Sequence, residues 1–347
     1  MTFSHDQYAA LQDGAGLLDR RSRGRLELTG ADRRSYLQGL LTNDIDALLP
    51  GTGCYAALLT PQGRMISDMR VSELGDRVLM DLPGATADGV RQRLADFIFS
   101  EDVEVRDLSR ELGHYGLYGP MAAERLAAAL DTADDETFRA ATREQLSSME
   151  TGANREYRFG TSPLAVVSSD DYGIPGFELF LDTAAIDSLA GALRAAGAHD
   201  VDVAAVLITR IEAGRPEFGV DMDEHTIPLE AGIEDRAISQ SKGCYVGQEV
   251  IIRVLHRGQG RVAKRLVGMI GAAGDGPLTR GMPLEADGKP VGTITSAAES
   301  PRLHRPIALG YVHRDVAEPG RIVHAPSGSG ARSLTVVTTP FVPTASE

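Results

Sequence analysis

The chain has 347 residues, and its 49 acidic against 35 basic side chains give a formal net charge of −14. Hydrophobic residues make up 42% and charged residues 24%, which is ordinary for a globular protein of two or three domains. So acidic a chain is a poor candidate for a general nucleic-acid binder, because affinity for phosphate depends on Lys and Arg.

The cysteines and the N-terminal residues indicate a cytoplasmic protein. Cys54 and Cys244 are too few and too far apart in the chain for a disulfide framework, which favours a reducing compartment. The first sixteen residues lack the basic start and apolar core of a signal peptide. No apolar run approaches the ~18 residues needed to span a bilayer, so we expect no membrane segment.

The predicted elements begin with a strand at 24–28. A helix over 29–44 follows, with Thr29 as its N-cap. The next segments alternate between strands and one amphipathic helix, and turn residues separate them. We predict strands on both sides of the turn at 60–63, a further strand at 76–82 and a helix over 86–100.

From about residue 113 the pattern restarts as a compact α+β unit. Its predicted segments are a strand at 114–120, a helix beginning at Pro120, a polar loop over 131–156, strands at 164–169 and 176–182, and a helix over 183–198 that Gly197 ends.

The last part begins with a helix over 202–214, with Asp202 as N-cap and Gly214 as stop. Short strands then follow, beginning at 245–256, and their spacing predicts a small antiparallel barrel. The sequence Ala-Asp-Gly-Lys at 286–289 predicts a hairpin turn.

Two sequence motifs are rejected because the residues around them do not fit the site that the motif would form. The run GQGRVA at 258–263 mimics a dinucleotide fingerprint but precedes strands, so a hairpin turn is the better interpretation. The run DMDEH at 221–225 lacks the glycine of an EF-hand and is interpreted as a solvated loop. The histidines show no ligand spacing, and two distant cysteines cannot hold an iron-sulfur cluster alone. No metal site is predicted.

Three stretches carry a resemblance to known families: 28–45, 210–233 and 242–258. The second resembles the R-x-E-x-G block of the glycine-cleavage T-protein, a folate-dependent aminomethyltransferase. The third, KGCYVGQE, resembles the signature of the YgfZ family, folate-binding proteins that assist iron-sulfur enzymes.

The resemblance implies an α+β fold of the T-protein type, a three-domain cloverleaf with a C-terminal antiparallel β-barrel. A discontinuous folate-binding domain would comprise 1–110 and 200–255. The inserted α+β domain, of ferredoxin-like type, would be 111–199, and the barrel would be 256–347.

The same resemblance implies folate-binding residues. Glu178 in GFELF would hold the pterin ring, because a carboxylate can accept two N–H bonds from an aminopyrimidine edge. Arg210 matches a T-protein arginine near the folate. T-proteins carry paired aspartates where this chain has Ser67 and Asp68. Asp68 is a further candidate for orienting the pterin, and the missing acid at Ser67 argues against aminomethyl transfer.

Cys244 is the predicted reactive group, with Lys242 beside it to favour the thiolate. Tyr245, Gln248 and Glu249 complete the predicted folate-side loop, whereas Cys54 precedes an apolar strand and is expected to be structural. Five basic residues follow, and the span 250–265 contains no acid; they are Arg253, Arg257, Arg261, Lys264 and Arg265. This stretch would bind the glutamate tail of a folate, a carboxylate-rich partner or RNA, or face water.

Three functions remain open. The first is a tetrahydrofolate-binding accessory protein that supports assembly or repair of iron-sulfur clusters in other enzymes, its transient partners. The alternative is a folate-dependent aminomethyltransferase or demethylase. The third is a helper of RNA modification, such as tRNA modification, which the net charge counts against. Whether the protein is an enzyme stays undecided from the sequence, and we expect a monomer without RNA or membrane partners.

Overall fold

The computed structural model describes residues 4–131, 135–257, 261–327 and 330–342. The chain forms two compact units. The first comprises Met1–Leu58, Ile66–Val206 and Ala237–Val246, and the second comprises Leu59–Met65, Leu207–Arg236 and Gly247–Glu347. The division into three domains that the resemblance implies stays a prediction.

The helices of the described residues are mostly short. They are α1 His5–Asp13, α2 Arg33–Gln38, α3 Gly84–Asp96, α4 Ala122–Leu130, α5 Glu136–Ser147, α6 Thr183–Ala195, α7 Val203–Glu212, α8 Pro228–Ala231, α9 Glu234–Ala237 and α10 Gln248–Ile252. None of the helices within these ranges has both the length and the apolar character that crossing a bilayer requires.

The strands precede, separate and follow these helices. They are β1 Gly16–Asp19, β2 Gly24–Thr29, β3 Thr52–Leu59, β4 Met65–Glu73, β5 Val78–Leu82, β6 Glu104–Asp107, β7 Leu112–Tyr118, β8 Asn154–Phe159, β9 Ser162–Ser169, β10 Gly176–Asp182, β11 His199–Asp200, β12 Lys264–Ile270, β13 Pro283–Ala286, β14 Lys289–Ser300, β15 Arg305–His313, β16 Ile322–Ser327 and β17 Gly330–Val337.

The first unit stacks two sheets between layers of helices. A five-stranded sheet has the order β3-β4-β5-β2-β6, and a six-stranded sheet has the order β11-β1-β7-β10-β9-β8. The outer face of the five-stranded sheet packs on α2 and α3, and that of the six-stranded sheet packs on α4, α5 and α6. The two inner faces meet through a small apolar cluster of Leu79, Val167 and Phe180.

Strand register brings polar residues onto these inner faces. Antiparallel pairing of β10 with β7 places Glu178 opposite Gly116 and Phe180 opposite His114. Pairing of β4 with β5 places Arg70 opposite Asp81. Because side chains alternate along a strand, these residues point between the sheets while their neighbours enter the outer cores.

The second unit contains a closed barrel, confirming the predicted antiparallel architecture. Its strand order is β12-β15-β14-β13-β16-β17. The predicted turn at 286–289 joins β13 to β14. Asp287 and Gly288 have φ of 51° and 72°, the left-handed pair that a two-residue hairpin turn requires. In this unit Ile211 of α7 packs against Ile307 and Leu309 of β15.

Several sequence predictions of elements are wrong. The helix expected from Thr29 begins at Arg33, because Thr29 extends β2. The expected strand at 245–256 contains α10 and a π-helical turn instead, since Gly247 has φ of +85° and starts a helix. The expected loop at 131–156, whose residues 132–134 lie outside the described residues, contains α5 and the start of β8.

These errors have physical reasons. Helix α5 is largely polar and buries only Thr142 and Leu146, so its apolar period is weak. Its Asp135 cap accepts from the backbone N–H of Thr137 and Phe138. Pro120 precedes α4 rather than opening it. The Asp202 cap of α7 is confirmed, because its Oδ1 accepts from the N–H of Ala204 at 2.9 Å.

The structure describes parts of the two rejected motifs. Residues 258–260 of GQGRVA lie outside the described residues, so its hairpin-turn interpretation stays a prediction. In DMDEH, residues 223–225 are exposed as expected of a loop, but Asp221 is buried. The described residues contain no group of three or more His, Cys, Asp or Glu side chains arranged to hold a metal ion.

Candidate functional site

Asp68 and Ser67 lie on opposite faces of β4. The side chain of Ser67 is fully buried on the outer face, where its hydroxyl lies 2.8 Å from that of Thr86. Asp68 and Arg70 share the inner face because residues two apart on a strand point the same way. A serine at position 67 therefore removes no acid from the inner face.

Asp68 has one engaged and one open carboxylate oxygen. The hydroxyl of Tyr55 donates to Oδ2 at 2.7 Å. Within the described part of the chain Oδ1 accepts no hydrogen bond, and it is not enclosed. The guanidinium of Arg70 lies over the Tyr55 ring, 5.7 Å from its centroid. Asp68 is thus held at one oxygen and open at the other.

Arg70 connects Asp68 to a buried ionic cluster. Its Nη2 lies 2.5 Å from Oδ2 of Asp171, and the same carboxylate oxygen lies 3.5 Å from Nη1 of Arg20. Arg20 in turn pairs with Glu178 at 2.6 Å. A chain of ion pairs therefore runs from Arg70 to Glu178 along the space between the sheets, and the Tyr55 side chain lies between Arg70 and Asp68.

Both oxygens of Glu178 already have protein partners. Oε1 accepts from Arg20 and from the hydroxyl of Tyr118, the latter at 2.5 Å. Oε2 lies 2.6 Å from Nε2 of His114. Tyr118 also contacts Arg20. Glu178 is 1% exposed, so a pterin that reached it would have to join or displace these partners.

The cluster is close to neutral. Three guanidinium groups, of Arg20, Arg23 and Arg70, face three carboxylates, of Asp81, Asp171 and Glu178. Buried charges persist only when they are paired and hydrogen-bonded. The neutrality therefore explains how so many ionised groups fit between two sheets.

The pKa values of the acids and the histidine follow from this balance. Burial acts to raise the pKa of Glu178, but Arg20 and the bond from His114 outweigh it and hold that pKa below its usual range. The pKa of Asp81 is lowered likewise, by Arg23 foremost. Burial lowers the pKa of His114, although Asp81 and Glu178 oppose the effect. His114 is thus neutral at pH 7, with Nε2 placed to donate to Glu178.

Lys242 is anchored on backbone. Its ammonium donates to the carbonyl oxygens of Gln38, Leu41 and Asn43, each at 2.7 Å. Burial lowers its pKa to about 8, against the opposing effect of Asp44. All three ammonium protons therefore form hydrogen bonds with carbonyl oxygens at and just after the end of α2.

The loop that follows Lys242 is divided between exposed and buried residues. Cys244 is exposed, whereas Tyr245 is buried, with its ring centroid 5.2 Å from the Lys242 ammonium. Gln248 and Glu249 form the first turn of α10, in the second unit. Cys54 is half-buried against the α2–α3 core, and burial raises its pKa to about 12.

Arg210 is fixed within the second unit. It is 3% exposed, and its Nη1 lies 2.5 Å from Asp221 while Nη2 donates to Ser296 at 2.8 Å. Asp221 accepts from Ser296 as well. The predicted folate roles of Arg210, Glu178, Asp68, Tyr245, Gln248 and Glu249, and the predicted reactivity of Cys244 and Lys242, stay predictions.

Sequence reasoning missed most of the ionic cluster. Arg20, Asp81, His114, Tyr118 and Asp171 come from segments far apart in the chain, and no local pattern joins them. One signal was available in β4. The spacing of Asp68 and Arg70 by two residues places both on one face of a predicted strand.

Comparison with known proteins assigns the family. A model of the GCVT N-terminal domain matches residues 2–242, and a model of the glycine cleavage T-protein C-terminal barrel domain matches residues 264–343. The chain belongs to the glycine cleavage T-protein family.

Relatives of this family are similar over nearly the whole chain. The aminomethyltransferase of Rubrobacter xylanophilus is 32% identical over 315 residues, which cover 88% of this chain and 78% of the relative. That of Geobacillus kaustophilus is 30% identical over 352 residues, which cover 97% and 89%.

A solved structure shows the T-protein fold. Aminomethyltransferase T of the glycine cleavage system from Bartonella henselae matches with a TM-score of 0.85 at 22% identity, covering 97% of this chain and 89% of that chain. The predicted α+β fold of the T-protein type with a C-terminal barrel is therefore confirmed.

The expected function in iron-sulfur assembly is wrong. Several similar relatives are named aminomethyltransferases, which favours the alternative that the sequence left open. The missing acid at Ser67 counted against that alternative in the sequence. Ser67 lies on the outer face of β4, however, so the serine removes no acid from the inner face that carries Asp68. The family models also give no support to the iron-sulfur partners or to tRNA modification.

Proposed function

We propose that this protein binds a tetrahydrofolate derivative and transfers a one-carbon unit to it from an aminomethyl group. Membership in the T-protein family and the names of the similar relatives support this class of reaction. The observation that carries the proposal is Asp68, a nearly buried carboxylate whose Oδ1 is open.

The side chains around Asp68 fit a folate in their chemistry. Folates carry N–H groups on the aminopyrimidine edge and on the amine nitrogens, and an ionised carboxylate is a strong acceptor for such groups. Tyr55 donates to Oδ2 and leaves Oδ1 as the available acceptor. The predicted folate roles of Glu178, Arg210, Tyr245, Gln248 and Glu249 rest on the sequence alone.

Bound tetrahydrofolate would supply the amine nitrogens that accept the one-carbon unit. Asp68 would hold an N–H of the reacting amine at Oδ1 and take its proton as the new C–N bond forms. The carbon would break its bonds to the donor's amino group and carrier, which leave as ammonia and the protonated carrier. The bond from Tyr55 fixes the carboxylate in one orientation, so less reorganisation is needed during transfer. Arg70, through its contact with Tyr55, supports the same orientation.

The more detailed predictions about subfamily, location and oligomeric state still rest on the sequence and the resemblance. Placement within the YgfZ branch of the family rests on KGCYVGQE, and the role of Cys244 rests on the same motif. A cytoplasmic location rests on sequence features, and a monomeric state rests on the three-domain ring that the resemblance implies.

Folate binding is the first test of the proposal. We expect saturable heat on calorimetric titration with tetrahydrofolate under reducing, anaerobic conditions, and little heat with p-aminobenzoylglutamate, which lacks the pterin. Asp68→Asn should weaken binding by about tenfold, since a charge-assisted hydrogen bond is replaced by a neutral one. Absence of saturable binding to the native protein would overturn the proposal.

A further inference from the structure

A cleft opens between the two sheets of the first unit, and neither Asp68 nor any member of the ionic cluster lines it. Its volume is about 300 Å³, within the range of small-ligand pockets. Its walls come from both sheets: Leu79 on β5 and Arg106 on β6 line one side, and Ala165 on β9 and Phe180 on β10 line the other.

The floor of the cleft is apolar. Leu74, Leu108 and Leu112 are half-buried there, and Phe180 is nearly fully buried behind them. Phe180 stacks on His114 with ring centroids 4.2 Å apart. Such a floor fits an aliphatic or aromatic body whose burial contributes most of the affinity.

The rim of the cleft is charged, with four acids against two bases. Its charged residues are Glu27, Arg77, Arg106, Glu111, Glu156 and Asp182.

The two arginines of the rim are already neutralised by neighbours. Glu27 lies 3.4 Å from Arg77 and 3.4 Å from Arg106, and Arg106 also pairs with Glu111 at 3.2 Å. Glu156 and Asp182, by contrast, form no ion pair with any residue that the structure describes. The uncompensated charge at the rim is therefore negative.

We propose that this cleft binds a small organic cation, an amine or quaternary ammonium carried on an apolar body. The body lies on the leucine floor, and the cationic group meets Glu156 and Asp182. The proposal is independent of the proposed folate chemistry, because none of the cleft residues is Asp68 or one of its partners.

Three probes of similar size and different charge test the proposal: phenethylammonium, 2-phenylethanol and 3-phenylpropionate. Methyl NMR of the full-length protein would follow Leu74, Leu108 and Leu112 during each titration. We expect phenethylammonium to bind with an affinity of about 1 mM and to shift these methyl signals. We expect the neutral and anionic probes to bind at least threefold more weakly.

The double variant Glu156→Gln/Asp182→Asn removes the two uncompensated charges. Asn preserves the side-chain cap that Asp182 gives to α6, whose Ala184 N–H it accepts at 2.8 Å. We expect the affinity for phenethylammonium to fall by about threefold to tenfold. Glu285→Gln, an exposed acid of the barrel, serves as the matched control and should leave the affinity unchanged.

The outcomes separate cleanly. Equal binding of the three probes, shifts confined to methyl groups outside the cleft, or an unchanged affinity in the double variant would each overturn the proposal. Asp68→Asn should leave probe binding intact, so a failure of the folate proposal is distinguishable from a failure of this one.

Discussion

At the residue scale, the chemistry of the site depends on which face of a strand each side chain occupies. Ser67 and Asp68 are neighbours in sequence, yet only Asp68 reaches the space between the sheets. Replacement of one member of an acidic pair is therefore a weak reason to exclude a reaction. Whether the reaction remains feasible depends on whether the remaining acid points into the space between the sheets.

His114 gives a pH dependence of stability at this scale. Its pKa is lowered in the folded state, so below its ordinary value of about 6.5 the unfolded chain binds a proton that the folded chain does not. The free energy of unfolding should therefore fall as pH drops below about 6.5, by up to about 1.4 kcal/mol per pH unit. Urea denaturation at pH 7.0, 6.0 and 5.0 measures it.

The matched variant is His114→Gln, which keeps a donor for Glu178 but does not titrate. It should lose this slope, while His225→Gln, whose side chain is 73% exposed, should retain it. Equal slopes in the native protein and His114→Gln would show that burial of His114 does not govern the acid response.

At the element scale, a single ammonium organises the end of α2. The carbonyl groups of a helix C-terminus lack partners within the helix and require donors from elsewhere. Lys242 donates to the carbonyl of Gln38, the last residue of α2, and to those of Leu41 and Asn43 in the segment that follows. The first part of the KGCYVGQE motif thus has a clear structural task, and Cys244 is held beside it on an exposed loop.

Lys242→Met should therefore destabilise the first unit by about 2–3 kcal/mol, because three carbonyl groups, one buried and two partly buried, lose a charged donor. Amide hydrogen exchange should accelerate around residues 38–43. Lys289→Met, at an exposed hairpin position, is the control. If exchange at 38–43 matched the native protein, the anchoring role of Lys242 would be untenable.

At the scale of the whole molecule, local patterns predicted the elements and the barrel well. The alternation in β2, β4 and β10 and the Asp-Gly turn at 287–288 are local signals, and each is found in the structure. Helix α5 and the segment 245–256 were mistaken because their local patterns are weak or misleading. A polar helix shows little apolar period, and a left-handed Gly247 interrupts a β-branched run.

The ionic cluster lay beyond the reach of sequence reasoning for a different reason. Arg20, Asp81, His114 and Glu178 meet only because two sheets stack face to face. Nothing in the sequence around each residue indicates its partner. The family resemblance indicated Glu178 as a candidate, but it did not indicate the arginine and histidine that already occupy its oxygens.

Transfer of a one-carbon unit tests the central claim most directly. The purified protein is mixed with tetrahydrofolate and an S-aminomethyl thiol, and formation of 5,10-methylenetetrahydrofolate and ammonia is followed. We predict that the native protein accelerates this transfer, that Asp68→Asn lowers kcat by about 10²–10⁴-fold as expected for loss of a proton acceptor, and that Ser67→Ala retains the native rate. Transfer by Asp68→Asn at the native rate, or none by the native protein, would contradict it.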